Sequence, residues 1–380
     1  MERPLAGLRV LELARVLAGP WIGQTLADLG ADVIKVEAPE GDETRGWGPP
    51  FAEDGAAAYF HACNRGKRSI ALDFRDADDL ALAAGLARAA DVVLENFKVG
   101  GLVKFGLDYA SIAAANPGVV YCSVTGFGQD GPYAHRAGYD FLVQGMAGLM
   151  DITGEPEREP QKVGMACADL FTGLYGTVAV QAALAQRART GLGQWIDVNL
   201  FETTLAVLGN QATNHLIGGT VPRRLGNAHP NIVPYQVFAA ADGPLVLACG
   251  NDGQYARLCA RLGLALDPRF ATNPGRVAHR AEVAAGVAAR LSGMTRAEVL
   301  AAMEEAGVPA GPINTVAEAF AEPQAVARGA VVEMAGSRSP RSPIRMSGAQ
   351  VGPVSPPPAL DADGATIRAG FAEGAGWPER

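Results

Sequence analysis

The sequence predicts an α/β protein: a large domain on a Rossmann-like, doubly wound parallel sheet, joined to a smaller α+β domain. Three observations carry this. From Gly7 onward, short β-branched runs alternate with helical stretches, the pattern of parallel strands joined by crossover helices. With 380 residues, 48% hydrophobic and 19% charged, the chain is long and apolar enough for two cores. Near Gly218 the alternation gives way to a Gly-, Pro- and Asn-rich stretch, the composition of a linker.

The elements follow in order. Leu8–Leu13 reads as a buried strand, Gly19–Leu29 as a helix with Pro20 in its first turn, and Asp32–Glu37 as the second strand. Ser69–Phe74, Asp91–Phe97 and Gly118–Thr125 read as further strands, with helices at Ala77–Ala90 and Tyr109–Ala115 between them. A long Ala/Leu/Val-rich helix starts at Asp169, a strand at Gln194–Val198 follows, and a helix runs from Phe201 to Ile217. Beyond the linker come a hairpin around Asp242-Gly243 and helices at Gly253–Leu262, Arg280–Leu291 and Arg296–Ala306. The division expected is a large domain, 1–218, completed by a tail, 328–380, and a linker with a small domain, 219–327. The tail should carry one strand (Ala330–Met334), a solvated loop at Arg338–Arg345, and an extended Pro353–Pro358 segment returning over the first domain.

Bulk chemistry narrows the function. A net charge of −8 argues against non-specific binding to nucleic acid or anionic membrane, so an anionic substrate needs a local cluster of cations. The five cysteines and five histidines are scattered without metal-ligand spacing, which predicts reduced thiols, no zinc site and a cytoplasmic protein. No signal peptide or unbroken apolar span is visible. After the first strand the turn reads Ala14-Arg15-Val16-Leu17-Ala18-Gly19-Pro20 and not GxGxxG, so a nicotinamide or flavin oxidoreductase ranks low.

Parallel sheets bind ligands at the carboxyl ends of their strands, which places Arg15–Pro20, Asn96–Lys98 and Gly126–Gly128 on the functional rim. Asp169 begins its helix, where an N-cap and the positive end of the dipole favour a carboxylate and would keep it ionised as a nucleophile. Gly173 and Gly176 follow inside that helix, at about 1 kcal/mol each relative to Ala, which suggests a close approach to its backbone.

Taken in order, the segments Arg15–Pro20, Gly30–Glu37, Gly41–Arg45, Asn64–Ile70, Glu95–Phe97, Gly126–Gly128 with Gly131-Pro132, Gly138–Asp140 and Gly193–Asp197 resemble the class III CoA-transferases. That family includes the formyl-CoA and carnitine CoA-transferases, and the matches cover nearly the whole chain. The resemblance implies an interlocked homodimer and a mechanism in which Asp169 attacks an acyl-CoA thioester. A mixed anhydride and then an aspartyl-CoA thioester would form on it, splitting one difficult transfer into easier steps. The CoA thioester is a substrate, and no permanently bound cofactor or metal is implied.

The same resemblance assigns CoA contacts to Val16, Leu17, Ala18, Leu72, Arg75, Asn96, Phe97, Lys98, Lys104, Arg136, Tyr139 and Asp140. Arg75 and Lys104 are the natural phosphate partners among them. Ala38 and Ala137 stand where relatives often carry basic residues. Racemases of this fold place a His where Tyr139 stands; an ordinary Tyr, with a pKa of about 10, is a poor base at neutral pH, so transfer is favoured over racemisation. A non-catalytic acyl-CoA-binding protein would keep the rim but lack Asp169. The segments Arg136–Gly154 and Leu225–Gln236 most resemble succinyl-CoA:glutarate-type enzymes acting on dicarboxylates. The second stands where formyl-CoA transferases carry a Gly-rich lid. Arg45, Gly226, Asn227 and His229 are therefore the expected acceptor and lid residues, with Arg45 and His229 as cations for a distal carboxylate.

Overall fold

A computed structural model of the chain describes residues 2–372 and 376–379. It divides into two compact units: residues 1–149, 162–220 and 326–380 form the first, and residues 150–161 and 221–325 the second.

The first unit is built on a six-stranded, wholly parallel sheet, as the alternating pattern predicts. Its elements in chain order are β1 (Arg9–Glu12), α1 (Ala18–Asp28), β2 (Asp32–Glu37), β3 (Arg68–Ala71), α2 (Ala77–Ala89), β4 (Val92–Glu95), α3 (Tyr109–Ala115), β5 (Val120–Thr125), α4 (Asp140–Met146), α5 (Cys167–Thr190), β6 (Gln194–Asn199), α6 (Leu200–Val207) and α7 (Asn210–Gly218). Strand order is β3-β2-β1-β4-β5-β6, so the winding reverses between β1 and β4. Side chains alternate between faces with period two. Leu11, Ile34, Val93 and Tyr121 enter one core with α2 and α3; Val10, Val33, Leu94 and Cys122 enter the other with α1 and α5.

Two Gly positions in α5 explain how that helix packs. A Cβ on Gly173 would stand 2.9 Å from the Ala18 carbonyl oxygen, and one on Gly176 would stand 2.5 Å from Ile22. The close approach read from the sequence is therefore made by α1. The 24-residue α5 has the length and composition of a membrane span, yet here it packs against α1, β5 and β6.

Three expectations change. The helix expected over Phe201–Ile217 is broken at Gly209, whose φ of +56° interrupts it between α6 and α7. Residues 150–161 group with the second unit, because Gly226 N–H donates to Gly154 O at 3.0 Å and Arg224 donates to Asp151 at 2.9 Å. The tail loop at Arg338–Arg345 is not simply solvated. Its first residues belong to a strand (Ser337–Pro340) that pairs antiparallel with Val331–Met334. Ser337 and Ser339 are buried and bonded to His61 and Arg65.

The Pro-rich segment runs extended along the first unit, where Gly66 N–H donates to Ser355 O at 3.0 Å. A final helix spans Gly364–Ala372, and its Ile367 enters the core beside α2.

The second unit holds the predicted hairpin, β7 (Tyr235–Ala240) and β8 (Gly243–Ala248), extended by β9 (Ala310–Pro312) into a three-stranded sheet. Helices α8 (Asp252–Leu262), α9 (Arg280–Leu291) and α10 (Arg296–Ala306) cover it around Phe238, Leu247, Leu258, Val287 and Met303.

Candidate active site

A cavity of about 890 Å³ opens where the winding reverses, the position at which doubly wound sheets bind ligands. The loop after β1 contributes Arg15, Val16, Leu17 and Ala18 to its wall, the loop after β4 contributes Asn96 to Gly101, and a 3₁₀ turn adds Val103, Lys104 and Phe105. Beyond β5, the wall is formed by Gly126 and the Ala134–Tyr139 segment. Gly126 and Gly138 cross there so closely that a Cβ on Gly126 would lie 2.5 Å from the Gly138 Cα. Asp169 completes the wall. Of the residues expected to contact CoA, Val16, Leu17, Ala18, Asn96, Phe97, Lys98, Lys104, Arg136 and Tyr139 all line this one cavity.

Asp169 is the third residue of α5, not its cap, since the helix begins at Cys167. The first-turn donors go to Asp140 instead: its Oδ1 accepts from Ala168 N–H at 2.7 Å and Asp169 N–H at 3.4 Å, while its Oδ2 accepts from Gln144 Nε2 at 2.6 Å. Asp140 thus serves as a remote cap and does not line the cavity. The expectation that the helix start keeps Asp169 ionised is overturned. Burial, helped by the charge of Asp140, pushes the Asp169 carboxyl up to about 7, because desolvation and a like charge both disfavour the anion. Among the described residues the carboxyl has no hydrogen-bond partner.

Tyr59, which the sequence reading passed over, stands close enough to feel that charge. Burial and Asp169 together raise its phenol to about 12, so it remains a hydrogen-bond donor, and its ring packs edge-on against Trp47 at 5.2 Å.

Val16 has φ of +71°, a left-handed conformation that is rare for a β-branched residue and costs about 1–3 kcal/mol. Its N–H donates to Asp42 Oδ2 at 3.3 Å, and its carbonyl accepts from the Cys63 thiol at 3.5 Å. Next to it, Arg15 and Asn96 exchange two hydrogen bonds: Arg15 N–H to Asn96 Oδ1 at 3.0 Å, and Asn96 Nδ2 to Arg15 O at 2.6 Å.

Besides Asp140, three expected contacts lie elsewhere. Leu72 is buried in the core with Ile70 and Leu82. Arg75 is exposed and folds back onto Asp73 at 2.8 Å. Both follow β3, the edge strand, two strands from the reversal. Arg45 makes paired bonds to Glu37 at 2.8 and 2.7 Å, donates to Pro358 O at 3.1 Å, and lies over the Phe60 ring at 3.7 Å. It is a structural arginine and no acceptor cation.

In the second unit, the Leu225–Gln236 segment is pinned rather than free. Arg280 donates to His229 O at 2.8 Å and to Pro230 O at 2.7 Å. Gly226 is left-handed against Glu155, and Asn227 is exposed. His229 accepts from Asn231 N–H through Nδ1 at 3.0 Å. Burial and the nearby Arg280 lower its pKa, which disfavours the cation expected there. The cavity also carries Arg15, which the sequence placed on the rim, and two residues that it did not single out, Glu43 and His135. Glu43 stands in the Gly41–Arg45 motif, and His135 precedes the expected contact Arg136. Among the described residues no group of three or more His, Cys, Asp or Glu could hold a metal ion.

A cavity that holds a buried carboxyl beside cations, at the reversal of a parallel sheet, is suited to an anionic, phosphate-bearing substrate. The sequence profile of CoA-transferase family III matches residues 5–364. The chain belongs to that family and is a CoA-transferase. It is 56% identical to a succinate–glutarate CoA-transferase of Agrobacterium fabrum over 90% of each chain. It is 43% identical to a succinyl-CoA:glutarate CoA-transferase of Mus musculus, over 94% of this chain and 84% of that one. A solved CAIB/BAIF family protein from Brucella suis superposes with a TM-score of 0.87 at 58% identity, covering 97% of this chain and 99% of that one.

Proposed function

We propose that this enzyme moves CoA from succinyl-CoA to a dicarboxylic acid of the glutarate class, with Asp169 as the covalent carrier. The observation that carries the proposal is the unpartnered Asp169 carboxyl on the wall of a cavity that also presents Lys98, Lys104 and Arg136. The activities of the two relatives supply the substrate class.

The carboxylate of Asp169 attacks the thioester carbonyl, the C–S bond breaks, and CoA leaves as a thiolate. The thiolate then attacks the aspartyl carbonyl and expels succinate, leaving aspartyl-CoA. Glutarate repeats the two steps in reverse, so every bond broken is matched by one formed. The first turn of α1, which has no side-chain cap and opens at Leu17 and Ala18 on the same wall, offers N–H donors to the transient oxyanions.

The test is incubation with succinyl-CoA and a panel of acids. Glutaryl-CoA should appear far faster than butyryl-CoA. Preference for monocarboxylates would overturn the acceptor class while leaving CoA transfer standing.

A homodimer is part of the same proposal. Phe171, Leu174, Tyr175 and Val178 form an exposed apolar strip on α5, and Leu216 and Ile217 on α7 are 79% and 86% exposed. Apolar patches of this kind mark association surfaces. Sedimentation at native pH should give a dimer at all concentrations, as an interlocked pair cannot dissociate without unfolding; a concentration-dependent monomer would contradict it.

A further inference from the structure

Three motifs read from the sequence, Gly30–Glu37, Gly41–Arg45 and Asn64–Ile70, give the cavity wall only Glu43. Their charged side chains meet instead around the loop that follows β1. Lys35 Nζ donates to Ala14 O at 2.8 Å and pairs with Asp42 at 2.9 Å and Glu12 at 3.3 Å. Lys67 Nζ donates to Pro20 O at 2.9 Å and Asn64 Oδ1 at 2.8 Å, and pairs with Glu12 at 2.8 Å.

One lysine therefore holds each end of the loop, and Asp42 holds the N–H of Val16 in its middle. All four ionic side chains are at most 1% exposed, and their charges cancel. Glu12 has no slack: a Cβ on Gly23 of α1 would overlap its Oε2, which has no hydrogen-bond partner among the described residues.

Buried ion pairs of this kind are often replaceable by apolar groups without loss of stability, so stability alone does not account for four charges under one loop. We propose that Glu12, Lys35, Asp42 and Lys67 are positioning residues that hold Val16 left-handed and so shape the Arg15–Ala18 wall for the acyl-CoA. This rests on reading the cavity as the acyl-CoA site.

Left without Asp42, the Val16 backbone would relax to an ordinary negative φ, turning the following N–H groups and the start of α1 away from their present course. Lys35 binds the same Asp42 oxygen that receives Val16 N–H, which couples the ion pair directly to the strained residue. The cation's second contact, on Ala14 O, fixes the entry to the loop.

The test measures CoA affinity by titration calorimetry, with Tm alongside, on the full-length protein. Asp42→Asn places an amide donor among donors and should weaken CoA binding more than tenfold. Glycine adopts a positive φ without strain, so adding Val16→Gly should return affinity to that of Val16→Gly alone while Tm stays low. A structural role without positioning would leave the two substitutions additive, and that result overturns the proposal, as does wild-type affinity in Asp42→Asn.

Should Asp42→Asn fail to fold, Val16→Pro decides, because proline is locked near a φ of about −65°. A loss above tenfold supports the proposal and unchanged affinity overturns it. Lys104→Ala separates the two readings. Unchanged CoA affinity there would displace the cavity as the CoA site, whereas weakened binding beside an indifferent Asp42 and Val16 would sink only the positioning role.

Discussion

Within the first unit, Lys35, Arg65 and Lys67 lie buried and Arg45 half-buried against carboxylates, each within 2.6–3.3 Å of its partner. Lys98, Lys104 and Arg136 stand on the cavity wall with no carboxylate partner among the described residues; two of them rest on the rings of Phe105 and Tyr133. A ligand cannot recruit the first set without stranding a buried anion, which would cost several kcal/mol. The second set is free to meet phosphates or carboxylates. The carboxylates divide in the same way: Asp140 is fully engaged as a cap, while Asp169 has only the cavity to face. In the proposed mechanism the reacting and ligand-binding groups are those left without such partners among the described residues, and paired groups fix where they stand.

The largest effect that could break this contrast is at Asp169. Asp169→Asn should fold normally and lose transfer by at least ~10³-fold, as when a covalent route is removed. Near-normal turnover would show that the unpartnered carboxyl is not the carrier.

Arg45 tests the other set. Arg45→Ala strands Glu37, whose side chain is fully buried, and should lower stability by about 3–5 kcal/mol in denaturant melts. Donor and acceptor KM should then move together. A selective rise in acceptor KM would restore the arginine as an acceptor contact.

On the wall, Lys104→Ala should raise the KM for acyl-CoA by about tenfold with Tm unchanged and the loss shrinking in high salt. A fall in Tm would place Lys104 with the structural cations.

The pH profile sharpens the comparison of the two aspartates. Asp169 must be ionised to attack, so kcat/KM should climb with pH through about 7 and then level off. Asp140→Asn removes the neighbouring negative charge and should move that limb to lower pH. An unmoved limb would mean that Asp140 does not act on Asp169.

The smallest effect concerns stability. The folded-state pKa of Asp169 is raised from 3.8 to about 7, so between those values the folded state binds more protons than the unfolded one. Its contribution to stability therefore falls as pH rises through that window. Asp169→Asn should raise Tm at pH 8 on the order of 1–2 °C, and the gain should vanish toward pH 4.

Much of the fold was legible because the inner strands of the sheet are buried on both faces, which leaves β-branched runs such as Asp32–Glu37 bounded by Gly and Pro. The cavity's position was legible too, since the loops after β1 and β4 follow from strand and helix alternation alone. What stayed hidden depends on partners distant in sequence. Strand order cannot be read locally, and it is order that puts Leu72 and Arg75 at the edge. The cap on α5 comes from Asp140 in another helix, so a carboxylate near the helix start was mistaken for its own cap. Arg45 looked like a loop cation because Glu37 and Pro358, which engage it, lie 8 and 313 positions away. Ser337–Pro340 looked solvated because its buried serines are satisfied by His61 and Arg65.

The most direct test of the central claim is a trap of the covalent enzyme. Protein incubated with succinyl-CoA and quenched with hydroxylamine should yield the hydroxamate of Asp169, located by peptide mass spectrometry, and none in Asp169→Asn. A hydroxamate on another carboxylate, or full turnover with no adduct at any residue, would contradict the account.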